Sequence, residues 1–125
     1  MLACAGASVI GHCYPVWFGF AGGKGAATAI GALLGIAPEL ALPGVMVWVF
    51  VLVTTGYVGL ATMLAAIAIP LWLLVSGIDG QLPLLVFLTG LALFIVFTHR
   101  ANIRRLRSGT ENRVEKAMLL RRRLR

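Results

Sequence analysis

From Leu40 to Ile78 the chain runs for 39 residues without a charged side chain. At the helical rise this run would extend about 58 Å, close to twice the hydrocarbon thickness of a bilayer. It must therefore cross, turn and cross back. Thr54-Thr55-Gly56-Tyr57 is its turn segment, with Gly59 close behind. The other charges bound two shorter runs, 14 residues at Gly25–Pro38 and 20 at Gly80–His99. The pattern predicts an all-α fold, a polytopic integral membrane helix bundle, with spans near 39–54, 58–76 and 82–98. A fourth, shorter crossing at 25–37 needs local thinning of the bilayer or tilted neighbours. Met1–Gly11 is apolar but rises only about 16 Å, so it reads as the end of a longer, N-terminally truncated span.

The charge pattern orients these spans. Only 12% of the residues are charged and mean hydropathy is +0.96; a soluble domain would carry about twice that charge fraction. Ten of the eleven basic residues lie between Arg100 and Arg125, and Lys24 is the exception. Four crossings separate Lys24 from His99, so both face one side. The turns at Glu39 and Asp79, which hold no Lys or Arg, face the other. Basic residues mark the cytoplasmic side, which places Lys24 and the C-terminus there. Residues 1–110 then form the transmembrane bundle and residues 111–125 a basic, amphipathic cytoplasmic tail lying on anionic lipid. A basic end of this kind needs no nucleic acid to explain it. Cys4 and Cys13 read as buried free thiols, too few for a structural metal site.

Gly22-Gly23-Lys24-Gly25 is the one lysine-bearing glycine cluster. Glycines let backbone N–H groups approach a phosphate, Lys24 adds a point charge, and Gly25-Ala26-Ala27-Thr28 opens a helix whose first amides favour an anion. The competing interpretation is helix packing through small residues, as at Gly31 and Gly35, with Lys24 as an interfacial anchor. The usual nucleotide loops are excluded. A P-loop needs Gly where the chain has Phe18 and Ser or Thr where it has Gly25, and a dinucleotide motif would end on Gly where it has Thr28. His12 and Pro15 bracket the break before the cluster, and a lone His at a helix end is commonly a cap or packing residue.

The second polar cluster starts at His99. His99 and Asn102 share one helix face, while Arg100, Arg104 and Arg107 lie toward another, suited to lipid head groups. Glu111 reads as structural, pairing with a nearby arginine. Covalent catalysis is disfavoured. Ser8, Ser76 and Ser108 are the only serines, and where a His-x4-Asp dyad needs its acid the chain has Trp17 and Arg104.

Taken together, Gly11-His12-x-x-Pro15-x-x-Phe18-x-Phe20-x-Gly22-Gly23-Lys24-Gly25-x-Ala27-Thr28 and His99-Arg100-x-Asn102-Ile103-x-Arg105-Leu106-x-x-Gly109-Thr110-Glu111 resemble the second and third motifs of the PlsY family. These are bacterial membrane acyl-phosphate:glycerol-3-phosphate acyltransferases. The resemblance implies a bundle in the bacterial inner membrane with its active site open to the cytoplasm. It implies acyl transfer from acyl phosphate to the sn-1 hydroxyl of glycerol 3-phosphate, giving lysophosphatidic acid, with no metal and no cofactor. Lys24, His99 and Asn102 would be the catalytic residues, and His12, Gly22, Gly23, Lys24, Gly25 and Thr28 would bind phosphate. The family's first motif, a Ser-Gly-Asn-x-Gly-x-x-Asn-x-x-Arg loop, is absent, and Ala21 stands where a basic or polar residue is frequent. The Arg-Tyr-Val-Ser-Leu-x-Ser stretch becomes Gly56-Tyr57-Val58-Gly59-Leu60-Ala61-Thr62. The competing functions are an inactive fragment, a non-catalytic membrane protein binding a phosphate-bearing ligand, and a basic tail docking on anionic lipid or nucleic acid.

Overall fold

The computed structural model describes residues 1–76 and 81–114. Its helices are α1 (Leu2–Cys13), α2 (Ala26–Ile36), α3 (Ala41–Thr55), α4 (Val58–Val75), α5 (Leu82–Thr98) and α6 (Arg100–Arg107), with short 3-10 turns at Val16–Phe18 and Pro38–Leu40. There is no strand among the described residues. The long uncharged run breaks where its turn residues stand. Gly56 takes φ +75 and donates its N–H to the Leu52 carbonyl, closing α3 before α4 starts at Val58. That left-handed φ suits glycine, which has no Cβ to clash.

Pro38–Thr55 and Val58–Val75 are each 18 residues long and apolar enough to cross a membrane, and α5 joins them if it is taken with α6 across a 55° bend. α1 and α2 are apolar but shorter. The bundle is arranged for lipid. Its interior holds many small residues, among them Ala5, Ala37, Ala61, Ala65 and Ala92, while Phe50, Leu74, Val86 and Leu93 face outward. Small residues allow close helix approach in lipid, where burial of large side chains gives little drive.

The glycines at helix contacts differ from those expected. Nothing lies within 4 Å of a Cβ built on Gly31 or Gly35, so neither packs against another helix. Gly44 does: its Cβ would stand 2.8 Å from Ile69 Cδ1, bringing α3 against α4. Cys13 is buried, but Cys4, expected inside, is exposed. One hydrophobic cluster gathers Leu33, Ala37, Leu40, Ala41, Leu73 and Leu88 at the end of the bundle that carries the C-terminus of α2. Lys24, Asn102 and Glu111 lie toward the opposite end. Asp79 and residues 115–125 of the expected tail lie outside the described residues. Its first four residues, 111–114, are not helical. They fold back, and the Val114 N–H reaches the Gly56 carbonyl at 2.9 Å.

Candidate active site

The last carbonyls of any helix lack intrahelical partners, and those of α1 shape the glycine loop. After the 3-10 turn the chain reverses through Gly19 and Phe20, at φ 59 and 61. Gly22 N–H then bonds the Cys13 carbonyl and Gly23 N–H the His12 carbonyl, each at 3.2 Å. This return leaves no room for side chains. A Cβ on Gly22 would overlap the His12 carbonyl oxygen and stand 2.6 Å from Pro15 Cδ, and one on Gly23 would overlap His12 Nε2. Gly25, at φ +78, precedes α2, and a Cβ on it would stand 2.8 Å from Cys13 Sγ.

The expectation that the whole glycine cluster turns its amides to a phosphate is corrected here. The N–H groups of Gly22 and Gly23 are already committed to α1, because the open carbonyls there need donors. The first-turn amides of α2, at Ala26, Ala27 and Thr28, are the ones a helix leaves without an intrahelical acceptor, and no side chain caps them. Thr28 stands in the first turn of α2. His12 is exposed, and its ring packs on the Gly23 backbone.

Lys24 is fixed at both ends. Its carbonyl accepts a bond from Thr98 Oγ1 at 2.9 Å, and its Nζ donates to Asn102 Oδ1 at 2.6 Å. Asn102 is 5% exposed and donates from Nδ2 to Glu111 Oε1 at 2.6 Å. Glu111 Oε2 accepts from Arg105 Nε, also at 2.6 Å. An ammonium can only donate and a carboxylate only accept, so the amide orientation of Asn102 is fixed by chemistry. The chain Lys24–Asn102–Glu111–Arg105 joins the glycine loop, α6 and the return segment. Glu111 has a side chain only 7% exposed. Its carboxyl is held below the usual range, chiefly by the Arg105 hydrogen bond, with further help from Asn102 and the Lys24 charge against an opposing effect of burial.

His99 stands one residue beyond α5 and is 4% exposed. Its Nδ1 lies 2.8 Å from the Ile95 carbonyl, which can only accept, so Nδ1 carries the proton and Nε2 keeps its lone pair. Burial is the largest influence on the ring and lowers its pKa; Lys24 acts the same way, while the Ile95 bond and Glu111 oppose. With Nδ1 donating to Ile95, Nε2 is the ring nitrogen left to accept in the neutral form.

The structure brings Lys24, Asn102, Glu111 and His99 to one end of the bundle, although 78 positions separate Lys24 from its partner Asn102. It also brings in residues that the motifs left without a role. Thr98 clips the loop, Arg105 pairs with Glu111, and Gly59 seats Asn102. A Cβ on Gly59 would stand 2.6 Å from Asn102 Nδ2. Only the adjacency of Thr98 to His99 hinted at the first of these; no sequence signal marked Gly59 as a seat. A cavity of about 410 Å³ lies between α2, α3, α4 and α5, lined from Ala26 and Ala27 at the start of α2 to Leu33 and Leu88. Its walls are apolar. One polar pair on them, Trp48 Nε1 and Thr62 Oγ1, bonds to itself at 3.2 Å.

A lysine-bearing glycine loop gathered with His99 and Asn102 at one end of a helix bundle is what the PlsY resemblance implies, and the sequence comparison decides the matter. The profile of the family described as Glycerol-3-phosphate acyltransferase matches residues 1–109. The chain belongs to that family. The glycerol-3-phosphate acyltransferase of Aquifex aeolicus (strain VF5) is 42% identical over 107 residues, covering 86% of this chain and 55% of the relative. That of Geotalea daltonii is 47% identical over 106 residues, covering 85% and 54%. Two crystal structures of PlsY, an integral membrane glycerol 3-phosphate acyltransferase, match with TM-score 0.79 at 42% identity. One is the glycerol 3-phosphate form and the other the lysphosphatidic acid form. They match 86% of this chain, and 52% and 54% of their own. The chain spans about half the length of the curated relatives it matches. The all-α, multi-pass membrane architecture read from the sequence is that of this family.

Proposed function

We propose that the chain carries the phosphate and acceptor side of an acyltransferase site, moving a fatty acyl group from acyl phosphate to the sn-1 hydroxyl of glycerol 3-phosphate. The observation that carries this reading is the hydrogen-bonded chain Lys24–Asn102–Glu111, gathered with His99 at the end of the bundle where α2 begins, with an apolar cavity lined from Ala26 and Ala27 inward. An ammonium has three donors, and Asn102 uses one. Two remain for phosphate oxygens, with the first amides of α2 close in sequence to add dipolar attraction. His99 Nε2 accepts a hydrogen bond from a glycerol hydroxyl. The acyl tail occupies the cavity between α2, α3, α4 and α5.

Acyl phosphate is a mixed anhydride, so no enzyme nucleophile is needed. The sn-1 oxygen attacks the acyl carbon, the bond from that carbon to the phosphate oxygen breaks, and the hydroxyl proton passes to a phosphate oxygen. Lysophosphatidic acid and inorganic phosphate leave. Lys24 stabilises the charge that builds on the leaving phosphate, and fixed positions of both substrates supply much of the rate. Trp17, Phe18 and Phe20 are exposed just before the glycine loop, where interfacial aromatics are expected. This supports a site at the membrane surface, and with the basic residues at that end it supports the cytoplasmic face of the bacterial inner membrane. In the same reading residues 1–110 form the bundle and 111–125 a cytoplasmic tail.

The test is acyl transfer by the protein reconstituted in lipid vesicles. Lys24→Ala lowers kcat/KM by about 10²–10³, the usual loss when one charge-stabilising donor is removed, while Arg123→Gln leaves it nearly unchanged. Equal losses would mean that general basic charge is being measured. Transfer from an acyl thioester but not from acyl phosphate would refute the donor.

A further inference from the structure

We propose that the outer face of α6 is a docking surface for anionic phospholipid head groups, formed by Arg100, Arg104 and Arg107. The proposal builds on the membrane-surface site above, but its test does not depend on catalysis. At 3.6 residues per turn, residues 100, 104 and 107 fall on one narrow stripe, and Asn102 lies about 200° around from Arg100. One face of the helix therefore holds the site, and the other presents three guanidinium groups. All three arginines are exposed. Among the described residues, Arg105 is the one arginine of α6 in an ion pair.

The stripe faces lipid rather than open water for a specific reason. The Arg100 guanidinium carbon lies 4.7 Å from the centroid of the Phe97 ring, and its Nη1 donates to the Phe97 carbonyl at 3.4 Å. Phe97 is itself 52% exposed and continues the outward row of Val86 and Leu93 along α5. The apolar face of α5 thus runs directly into the arginine stripe. A 55° bend separates α6 from the axis of α5, so the stripe does not simply continue along that helix. An apolar row that ends in guanidinium groups matches the bilayer edge, where acyl chains give way to phosphate. Arginine's planar fork also suits phosphate oxygens. Docking there fixes the helix that carries Asn102 on its other side.

Each basic residue near an anionic surface contributes about 1 kcal/mol, so three give a preference on the order of a hundredfold for anionic over zwitterionic lipid. The experiment is competition between phosphatidylglycerol and phosphatidylcholine for the full chain in detergent, with retained lipid read by native mass spectrometry. The unchanged chain should retain phosphatidylglycerol preferentially. R100Q/R104Q/R107Q should lose that preference, and R100K/R104K/R107K should keep most of it. Loss of the same preference in R121Q/R122Q/R123Q would overturn the proposal, since net charge would then be responsible. So would equal retention of the two lipids by the unchanged chain, or preferential retention of an oligonucleotide over phosphatidylglycerol. A chain that prefers phosphatidylglycerol through these arginines but transfers no acyl group would refute the proposed function and leave the docking surface standing.

Discussion

Gly22→Ala tests the construction of the loop. The added methyl would overlap the His12 carbonyl oxygen and come within 2.7 Å of the Cys13 oxygen and 2.6 Å of Pro15 Cδ. Two of these are backbone atoms at the end of a packed helix, so relief must come from the loop. Gly22 N–H then leaves Cys13 O and Gly23 N–H leaves His12 O. The Thr98 bond to the Lys24 carbonyl is strained as well. At about 1 kcal/mol per bond, the docked loop loses roughly 2–3 kcal/mol. That lowers the ratio of docked to undocked loop by about 30- to 150-fold, and kcat/KM for glycerol 3-phosphate should fall by up to that factor. Global thermal stability should barely move, because no helix–helix contact is touched. Gly31→Ala is the matched control. It sits inside α2 with nothing within 4 Å, so it should stabilise the helix by about 0.5–1 kcal/mol and keep full activity. The assay is acyl transfer in proteoliposomes alongside thermal unfolding of both variants. If Gly22→Ala stays within about threefold of the parent, or Gly31→Ala loses as much, loop closure onto α1 does not set the position of Lys24.

Three further outcomes follow from the same geometry. Asn102→Ala leaves Glu111 Oε1 without its partner at a side chain only 7% exposed, and should destabilise the protein by about 2 kcal/mol; an unchanged unfolding midpoint would contradict it. Glu111 has a folded pKa below its ordinary 4.5, so its contribution is present above that value and lost as pH falls through the lower folded value. The hydrogen-exchange protection of residues 109–114, taken relative to the intrinsic rate at each pH, should fall only in that acidic window, and Glu111→Gln should abolish that fall. Phe20 is the one non-glycine at positive φ among the described residues and is 60% exposed. Phe20→Gly should therefore raise stability by about 1 kcal/mol, and a loss would show that the ring's contacts outweigh its backbone strain.

How much of this was legible beforehand follows from the range of the forces involved. The uncharged run and its Thr-Thr-Gly-Tyr break placed α3 and α4 to within two residues, because lipid tolerates only helices that satisfy their own backbone. The motif residues Lys24, His99, Asn102 and Glu111 were named from spacing and resemblance, and the parity of crossings brought them to one end. The roles of individual atoms were not legible. Gly22 and Gly23 look like a phosphate cradle in sequence, yet their amides close α1, since which acceptor a donor finds depends on the path of the returning chain. Gly31 and Gly35 look like packing glycines and meet no neighbour, whereas Gly44 and Gly59 do. A glycine in sequence states only that a Cβ is missing; what would occupy its place is a fact about another helix.

The sequence by itself therefore determined the solvent of this protein, the break between its two long spans and the chemical inventory of its site. Those follow from transfer free energy and helical rise, which are local and nearly additive. Only the tertiary structure decided that Lys24 bonds Asn102, and that Glu111 and Arg105 hold Asn102 from behind. Hydrogen bonds act over about 3 Å. They are set by how the helices pack, and no spacing along the chain encodes them.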